Sequence, residues 1–101
     1  MSTSRTEQQP PMARAVLTSK STLSVELVDG RSISVPVEWY PRLAHGSEVE
    51  RNNWRLVGNG VGIHWPDLDE DILIDGLLAG KKSGEGRQSL EQWLASRPDT
   101  K

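Results

Sequence analysis

The chain has 101 residues, of which 26% are charged, a formal net charge of −2 and no cysteine. The length fits a single domain, and the lack of cysteine excludes a disulfide framework, a thiolate zinc site and a cysteine nucleophile. The small negative charge argues against a general phosphate-binding surface. Because the sequence has no apolar run of membrane-spanning length and no apolar signal-peptide core, we expect a cytoplasmic protein without membrane contact.

Three regions are predicted along the chain. Residues 1–12 are polar and proline-containing, offer nothing to bury and are predicted to form a disordered tail. Residues 13–82 carry the patterns of an α+β domain. Residues 83–101 are predicted to form a flexible link followed by a C-terminal amphipathic helix.

The first half of the domain predicts antiparallel strands. The residues from Ala13 to Leu17 form a first short strand, and those from Thr22 to Leu27 alternate between polar and apolar side chains, as a half-buried strand does. The pair Asp29-Gly30 predicts a type I′ hairpin turn, which needs positive φ at both central positions. The alternation resumes from Arg31 to Val37.

A helix is predicted in the middle of the chain. Ser47 and Glu50 match the capping box, in which each side chain accepts a backbone N–H of the other residue. The helix is expected to run from Glu48 to about Trp54, with Glu50 and Arg51 on a solvated face.

A second hairpin is predicted from Arg55 to Trp65, with a turn at residues 58–60 and Trp65 in the core. The apolar run from Ile72 to Leu78 is predicted to form a helical turn capped by Gly80. Together these patterns predict an α+β fold with a small antiparallel sheet of about five short strands and two to three short helices.

The last helix is expected to begin at a second capping-box pattern led by Ser89. Leu90, Trp93 and Leu94 have i, i+3, i+4 spacing, which places them on one helical face. Because a helix this short is unstable alone, we expect Trp93 to serve an interface.

Asp67, Asp69 and Asp71 have the spacing that opens a calcium-binding loop. The pattern then fails, since Ile72 stands where the loop needs glycine and Leu78 where it needs a bidentate glutamate. We therefore expect no metal and no cofactor, and interpret residues 67–71 as a solvated acidic corner.

The two histidines, His45 and His64, do not complete a catalytic set. No serine stands with a histidine and an aspartate at a spacing typical of a hydrolase, and the roles that an active site requires are not filled together. We expect no enzyme and no catalytic residues. A metal-dependent enzyme that uses His64 and the acidic corner remains a third, weaker interpretation.

The most distinctive run of the sequence is Gly62-Ile63-His64-Trp65-Pro66-Asp67-Leu68-Asp69-Glu70-Asp71-Ile72, and it is accompanied by segments 27–31, 35–43, 53–56, 77–80 and 89–94. On these residues there is a resemblance to the bacterial domain-of-unknown-function family 2442 that extends from Ala13 to Arg97. It implies a small α+β domain with antiparallel strands and short helices and without established catalytic residues. It also implies a second small protein encoded beside the family member, an arrangement similar to toxin–antitoxin pairs.

The leading hypothesis is a non-enzymatic, antitoxin-like protein-interaction module that binds and neutralises a small protein partner, such as a toxin encoded by a neighbouring gene. The acidic corner steers a basic partner and the last helix lies in a groove on it. The expected partner-binding residues are Asp67, Asp69, Glu70, Asp71, Leu90, Trp93 and Leu94. The alternative is a dimeric DNA-associated regulator of the autorepressor kind, which needs a basic face. The leading hypothesis includes no direct contact with nucleic acid, and a homodimer remains open.

Overall fold

A computed structural model describes residues 10–97. Within this range the fold is α+β, as predicted, with strands β1 (Ala13–Thr18), β2 (Thr22–Leu27), β3 (Ser32–Pro36), β4 (Arg55–Val57), β5 (Gly62–Trp65) and β6 (Glu70–Leu73), and helices α1 (Pro41–His45), α2 (Glu48–Asn52), α3 (Ile74–Leu78) and α4 (Arg87–Ser96). Residues 1–9 of the predicted tail lie outside the described residues.

The strands form two antiparallel sheets rather than one, in the orders β1-β2-β3 and β4-β5-β6. The additional strand is β6, because α3 begins only at Ile74 and not at Ile72. Ile72 is buried, whereas Asp71 and Leu73 are exposed. A burial pattern with a period of two residues is typical of a strand. The segment is therefore a strand, although its apolar run favoured a helix.

The first hairpin turns through three residues, 28–30, so the type I′ prediction is wrong. The Leu27 N–H donates to the Arg31 carbonyl at 2.7 Å, and the Gly30 N–H donates to the Leu27 carbonyl at 3.0 Å. Gly30 has a φ of 97°, but Asp29 is not among the residues of positive φ. A single left-handed residue after a turn is typical of the three-residue hairpin with a bulge.

The core lies between the two sheets and the short helices, and it includes Trp65 as predicted. Trp65 is fully buried, and its indole Nε1–H donates to the Arg51 carbonyl at 3.0 Å. The turn between β4 and β5 approaches β1 closely at Gly60, which has a φ of 106° and leaves no space for a Cβ beside the backbone of Ala13. The buried apolar residues are Ala13, Val16, Leu23, Val25, Leu27, Val35, Val37, Tyr40, Leu43, Ile63, Trp65, Leu68, Ile72, Ile74 and Leu77.

Helix α2 has the predicted capping box. The Glu50 N–H donates to Ser47 Oγ at 3.1 Å, and the Ser47 N–H donates to Glu50 Oε1 at 2.8 Å. The helix ends at Asn52 and not at Trp54, and the prediction of a solvated Arg51 is wrong because Arg51 is only 8% exposed. Helix α2 packs against β1, which encloses one of its faces.

Helix α4 begins at Arg87, with Gly86 as its N-cap. The capping-box prediction for Ser89 is therefore wrong, since Ser89 lies within the helix and its hydroxyl donates to Glu85 Oε2 at 2.8 Å. Of the helices described between residues 10 and 97, none has both the length and the apolar character that crossing a membrane requires.

Candidate functional site

The side chains of the acidic corner face different directions. Asp67 accepts a hydrogen bond from Asn53 Nδ2 at 2.9 Å. Asp71 lies opposite His64 on the outer face of the second sheet, where its Oδ1 is 2.7 Å from His64 Nδ1. Asp69 has a φ of 52°, a left-handed conformation that turns the chain into β6. The corner is therefore not one continuous acidic surface.

Glu70 is the member of the acidic corner that points inward. It lies opposite Trp65 in the ladder between β5 and β6, on the face that packs toward the core. Burial raises the pKa of Glu70 to about 7, and the nearby carboxylate of Glu85 adds to this effect, while the positive charge of Arg42 opposes it. A carboxyl group with this pKa changes its charge near neutral pH.

Because the four acids diverge, they do not form a metal site together. Within residues 10–97, no group of three or more histidine, cysteine or acidic side chains is arranged to hold a metal ion. His64 contacts one carboxylate of the corner, that of Asp71.

One arginine, Arg42, joins the acidic corner to the segment before α4. Its Nε and Nη2 donate to the Glu85 carboxylate, at 2.9 and 2.6 Å, and its Nη1 donates to the Asp69 carbonyl at 3.1 Å. The Glu85 side chain is only 8% exposed, and its hydrogen bonds from Arg42 lower its pKa. We call Arg42, Asp69, Glu70, Glu85 and Trp93 the Arg42 cluster.

The face of α4 that was assigned to a partner is held on the domain. The guanidinium carbons of Arg42 and Arg97 lie 5.0 and 4.6 Å from the Trp93 ring centroid, within cation–π range. Arg97 also donates to Glu50 Oε1 at 2.7 Å. Trp93 packs against the core, and Leu90 and Leu94 beside it are partly exposed. The two predicted partner-binding parts thus meet at Arg42.

The segment between α3 and α4 was predicted to be a flexible link. The structure fastens it to the domain before it reaches Glu85. The Tyr40 hydroxyl donates to the Lys81 carbonyl at 2.8 Å, and the Ser83 N–H donates to the Trp39 carbonyl at 3.0 Å. The Lys82 Nζ lies 5.2 Å from the Trp39 ring centroid.

A groove of about 470 Å³ separates β6 and α3 from this segment. We call it the β6 groove. One wall consists of residues 70–73 and 75–77, and the other of residues 81–84, with Tyr40 and Ala79 also in contact with it. Among residues 10–97, β6 pairs with β5 alone, so the strand that lines this groove is an edge strand of the second sheet.

Two backbone N–H groups of β6, a strand that lines this groove, point away from β5. The Ile74 N–H donates to the Val61 carbonyl at 2.9 Å, and Gly62 lies opposite Leu73 in the register. In an antiparallel ladder the bonded pairs alternate, so the N–H groups of Asp71 and Leu73 are directed away from β5. Neither N–H has a hydrogen-bond partner among residues 10–97. The alternation also explains the close contact of His64 and Asp71, because side chains of non-hydrogen-bonded pairs approach more closely.

Three residues that matter at these sites escaped the sequence analysis. Leu73 is 64% exposed, and the alternation within β6 could have revealed it. The role of Arg42 depends on Glu85, which is 43 residues away, and no local pattern indicates that contact. No pattern in the sequence indicated that Arg51 is buried, since its position in a capped helix also fits a solvated side chain.

Comparisons with known proteins agree with this fold. A protein of unknown function from Rhodospirillum rubrum, seen in a crystal structure, is 26% identical over 76% of this chain and 95% of its own, with a TM-score of 0.66. An uncharacterized protein from Chromobacterium violaceum, solved in solution by NMR, is 20% identical over 91% of this chain and 84% of its own, with a TM-score of 0.64. A search of curated proteins finds no match.

The family comparison covers most of the folded chain. The model of a family described as "Protein of unknown function (DUF2442)" matches residues 13–83, which include both sheets and helices α1 to α3. Helix α4 lies outside the matched residues. Since the match spans more than half of the chain, this protein belongs to the DUF2442 family, as the resemblance in its sequence predicted.

Proposed function

We propose that this chain is a non-enzymatic protein-interaction module that binds a small protein partner and neutralises it as an antitoxin does. The partner places an extended segment in the β6 groove and adds a strand to the second sheet. The observation that carries the proposal is the pair of outward N–H groups of Asp71 and Leu73, which have no partner within residues 10–97. Such a free edge is a template for strand addition.

The side chains beside this edge support a polypeptide as the ligand. Leu73 is 64% exposed on the outer face of β6 and gives an added strand an apolar neighbour. Pairs of side chains on adjacent strands contribute about 0.2–1 kcal/mol each. A protein segment with an apolar residue opposite Leu73 therefore gains both backbone and side-chain contacts.

The charges of the groove favour a partner segment with basic residues. Glu70, Asp71 and Asp75 line the wall formed by β6 and α3. The opposite wall carries Lys81 and Lys82, and Lys82 lies over the Trp39 ring. Acidic groups along one wall attract a basic segment toward β6. Such charges affect the rate and the specificity of association more than the affinity.

The main contact with the partner then lies at β6 and not at α4, where the sequence placed it. A partner that took the α4 face into its own groove would first have to separate Trp93 from Arg42 and Arg97, which lie 5.0 and 4.6 Å from the ring centroid. Strand addition at β6 requires no such separation. Leu90 and Leu94 remain partly exposed beside Trp93, where they extend the surface available to a partner.

The test is calorimetric binding of the small protein encoded by the neighbouring gene to two variants at position 73. Leu73→Pro removes the outward N–H and blocks the edge, and the native φ of −88° lies within about 25° of the value that proline fixes. Leu73→Val is the matched control, because it keeps both the N–H and an apolar side chain. We expect Leu73→Pro to weaken binding by about tenfold or more and Leu73→Val by less than about threefold.

Three outcomes contradict parts of the proposal. If the wild-type chain forms no complex with that protein, or forms one without inhibiting it, the neutralising role is wrong. If the proline and valine variants bind equally well, the partner does not use the β6 edge. Salt-dependent retention of a dimer on duplex DNA would instead support the DNA-associated regulator.

A further inference from the structure

A second groove, of about 730 Å³, lies on another part of the domain. It runs between the end of β1 at residues 18–20 and the junction of α1 and α2 at residues 46–48, and Arg51 of α2 also lines it. We call it the Arg51 groove. It shares no lining residue with the β6 groove.

Arg51 is the buried charged residue of the described chain, with 8% of its surface exposed. Its Nη1 donates to the Gly46 carbonyl at 2.5 Å, but its Nε is buried and has no hydrogen-bond partner within residues 10–97. No carboxylate of these residues forms an ion pair with it. Burying a charge without a partner is unfavourable, so a guanidinium in this state favours an anion brought from outside.

A second cation of the groove also lacks an ion-pair partner among the described residues. Lys20 is exposed, lines the groove, and forms no ion pair within the described residues. Ser47 Oγ accepts the N–H of Glu50 at 3.1 Å, which leaves the hydroxyl proton of Ser47 free to donate. Glu48 is the carboxylate on the lining, so the cations outnumber the acids by two to one.

We infer that the Arg51 groove is an oxyanion-binding site that takes the carboxylate or phosphate group of a ligand. Arg51 and Lys20 supply the positive charge, and Ser47 donates a hydrogen bond. Guanidinium and ammonium groups form their strongest hydrogen bonds with these anions. The Glu48 carboxylate disfavours ligands that carry a dense run of negative charge, because such a run places like charges beside it.

The structure also supplies a reporter for this site. The Trp65 indole Nε1–H donates to the backbone carbonyl of Arg51 at 3.0 Å. Its ¹H–¹⁵N NMR signal therefore responds when the charge environment of Arg51 changes. Trp39 and Trp93 lie in other parts of the molecule, beside Lys82 and Arg42 respectively, and act as internal controls.

The experiment titrates the full chain with sodium phosphate and, separately, with sodium acetate, at an ionic strength held constant with chloride. We expect a saturable shift of the Trp65 indole signal. Lys20→Glu should weaken the apparent affinity by about tenfold or more, because it removes one charge-assisted contact and adds repulsion. Arg87→Glu changes the net charge equally at an exposed position on α4 and should change the affinity by less than about twofold.

A further variant, Arg51→Lys, keeps the charge and removes the planar guanidinium, and it should also weaken binding. If this variant does not fold, the comparison of Lys20→Glu with Arg87→Glu decides alone. A response to both anions assigns a site for any small oxyanion, and a response to phosphate only assigns a site for tetrahedral ones. The inference is overturned if neither anion gives a saturable shift, or if the two charge-changing variants weaken binding equally.

Discussion

Arg42 and Arg51 lie in two regions of one small domain and differ in their surroundings. Arg42 has three hydrogen bonds to the Glu85 carboxylate, which measure 2.9, 3.1 and 2.6 Å, a hydrogen bond to the Asp69 carbonyl and a ring contact with Trp93. Arg51 is more deeply buried and donates only to the Gly46 carbonyl among the described residues. A partly buried arginine surrounded by carboxylates holds parts of the chain together, whereas a buried one without them is available to a ligand.

The Arg42 region contains more acid than its one arginine neutralises. Hydrogen bonds from Arg42 lower the pKa of Glu85, but burial raises that of Glu70 to about 7. Arg42 thus acts to lower the pKa of both carboxyl groups, but for Glu70 the effect of burial is larger. The Arg51 region shows the opposite imbalance, with more cation than acid on the groove lining.

The largest expected effect is that of Arg42→Ala. It leaves Glu85, whose side chain is 8% exposed, without its cation and removes the contact with Trp93. We expect the free energy of unfolding to fall by about 2–4 kcal/mol, measured by urea denaturation. Arg31→Ala is the control, since Arg31 pairs with Asp29 on the surface and should cost less than about 1 kcal/mol. Equal losses in the two variants would show that Arg42 is no more than a surface residue.

An intermediate effect is expected for Glu70→Gln, and it depends on pH. The folded-state pKa of Glu70, about 7, lies above its usual value of 4.5, so the folded protein binds the proton more tightly than the unfolded chain. The stability that this proton provides is complete below pH 4.5 and is lost as the pH rises through 7. Glu70→Gln should therefore be more stable than the wild type at pH 8 by about 1–2 kcal/mol, after allowance for partial exposure.

The measurement for Glu70 is urea denaturation of both proteins at pH 5 and at pH 8. Glu38→Gln serves as the control, because Glu38 is an exposed carboxylate outside the Arg42 cluster. An advantage of Glu70→Gln that is the same at both pH values would contradict the raised pKa.

The smallest effect is expected for Arg51→Met in a buffer that contains chloride but neither phosphate nor carboxylate. Methionine fills a similar volume and removes a buried charge that has no carboxylate partner among the described residues. The free energy of unfolding should stay within about 1 kcal/mol of the wild type, because relief of the buried charge offsets the lost bond to Gly46. Arg42→Met, measured in parallel, should cost at least twice as much as this. A loss near that of Arg42→Met would make Arg51 a structural residue like Arg42.

Local patterns predicted the parts of this fold that depend on neighbouring residues. The capping box of Ser47 and Glu50, the alternation of β2 and the core position of Trp65 are all confirmed. The prediction of a type I′ turn at Asp29 is wrong because strand pairing decides whether the hairpin loop has two or three residues. The dipeptide alone carries no information about that pairing. The prediction of a helix that begins at Ile72 is wrong because residues 70–73 pair with the edge of β5.

By itself the sequence determined the α+β class, the family and the core position of Trp65, because these depend on periodicity and on short motifs. Only the tertiary structure decided how the charged residues are used. It placed Glu85 against Arg42 across 43 positions of the chain and left Arg51 without a carboxylate among the described residues. Charge interactions depend on distance and burial, and both are set by contacts between segments that lie far apart in the sequence.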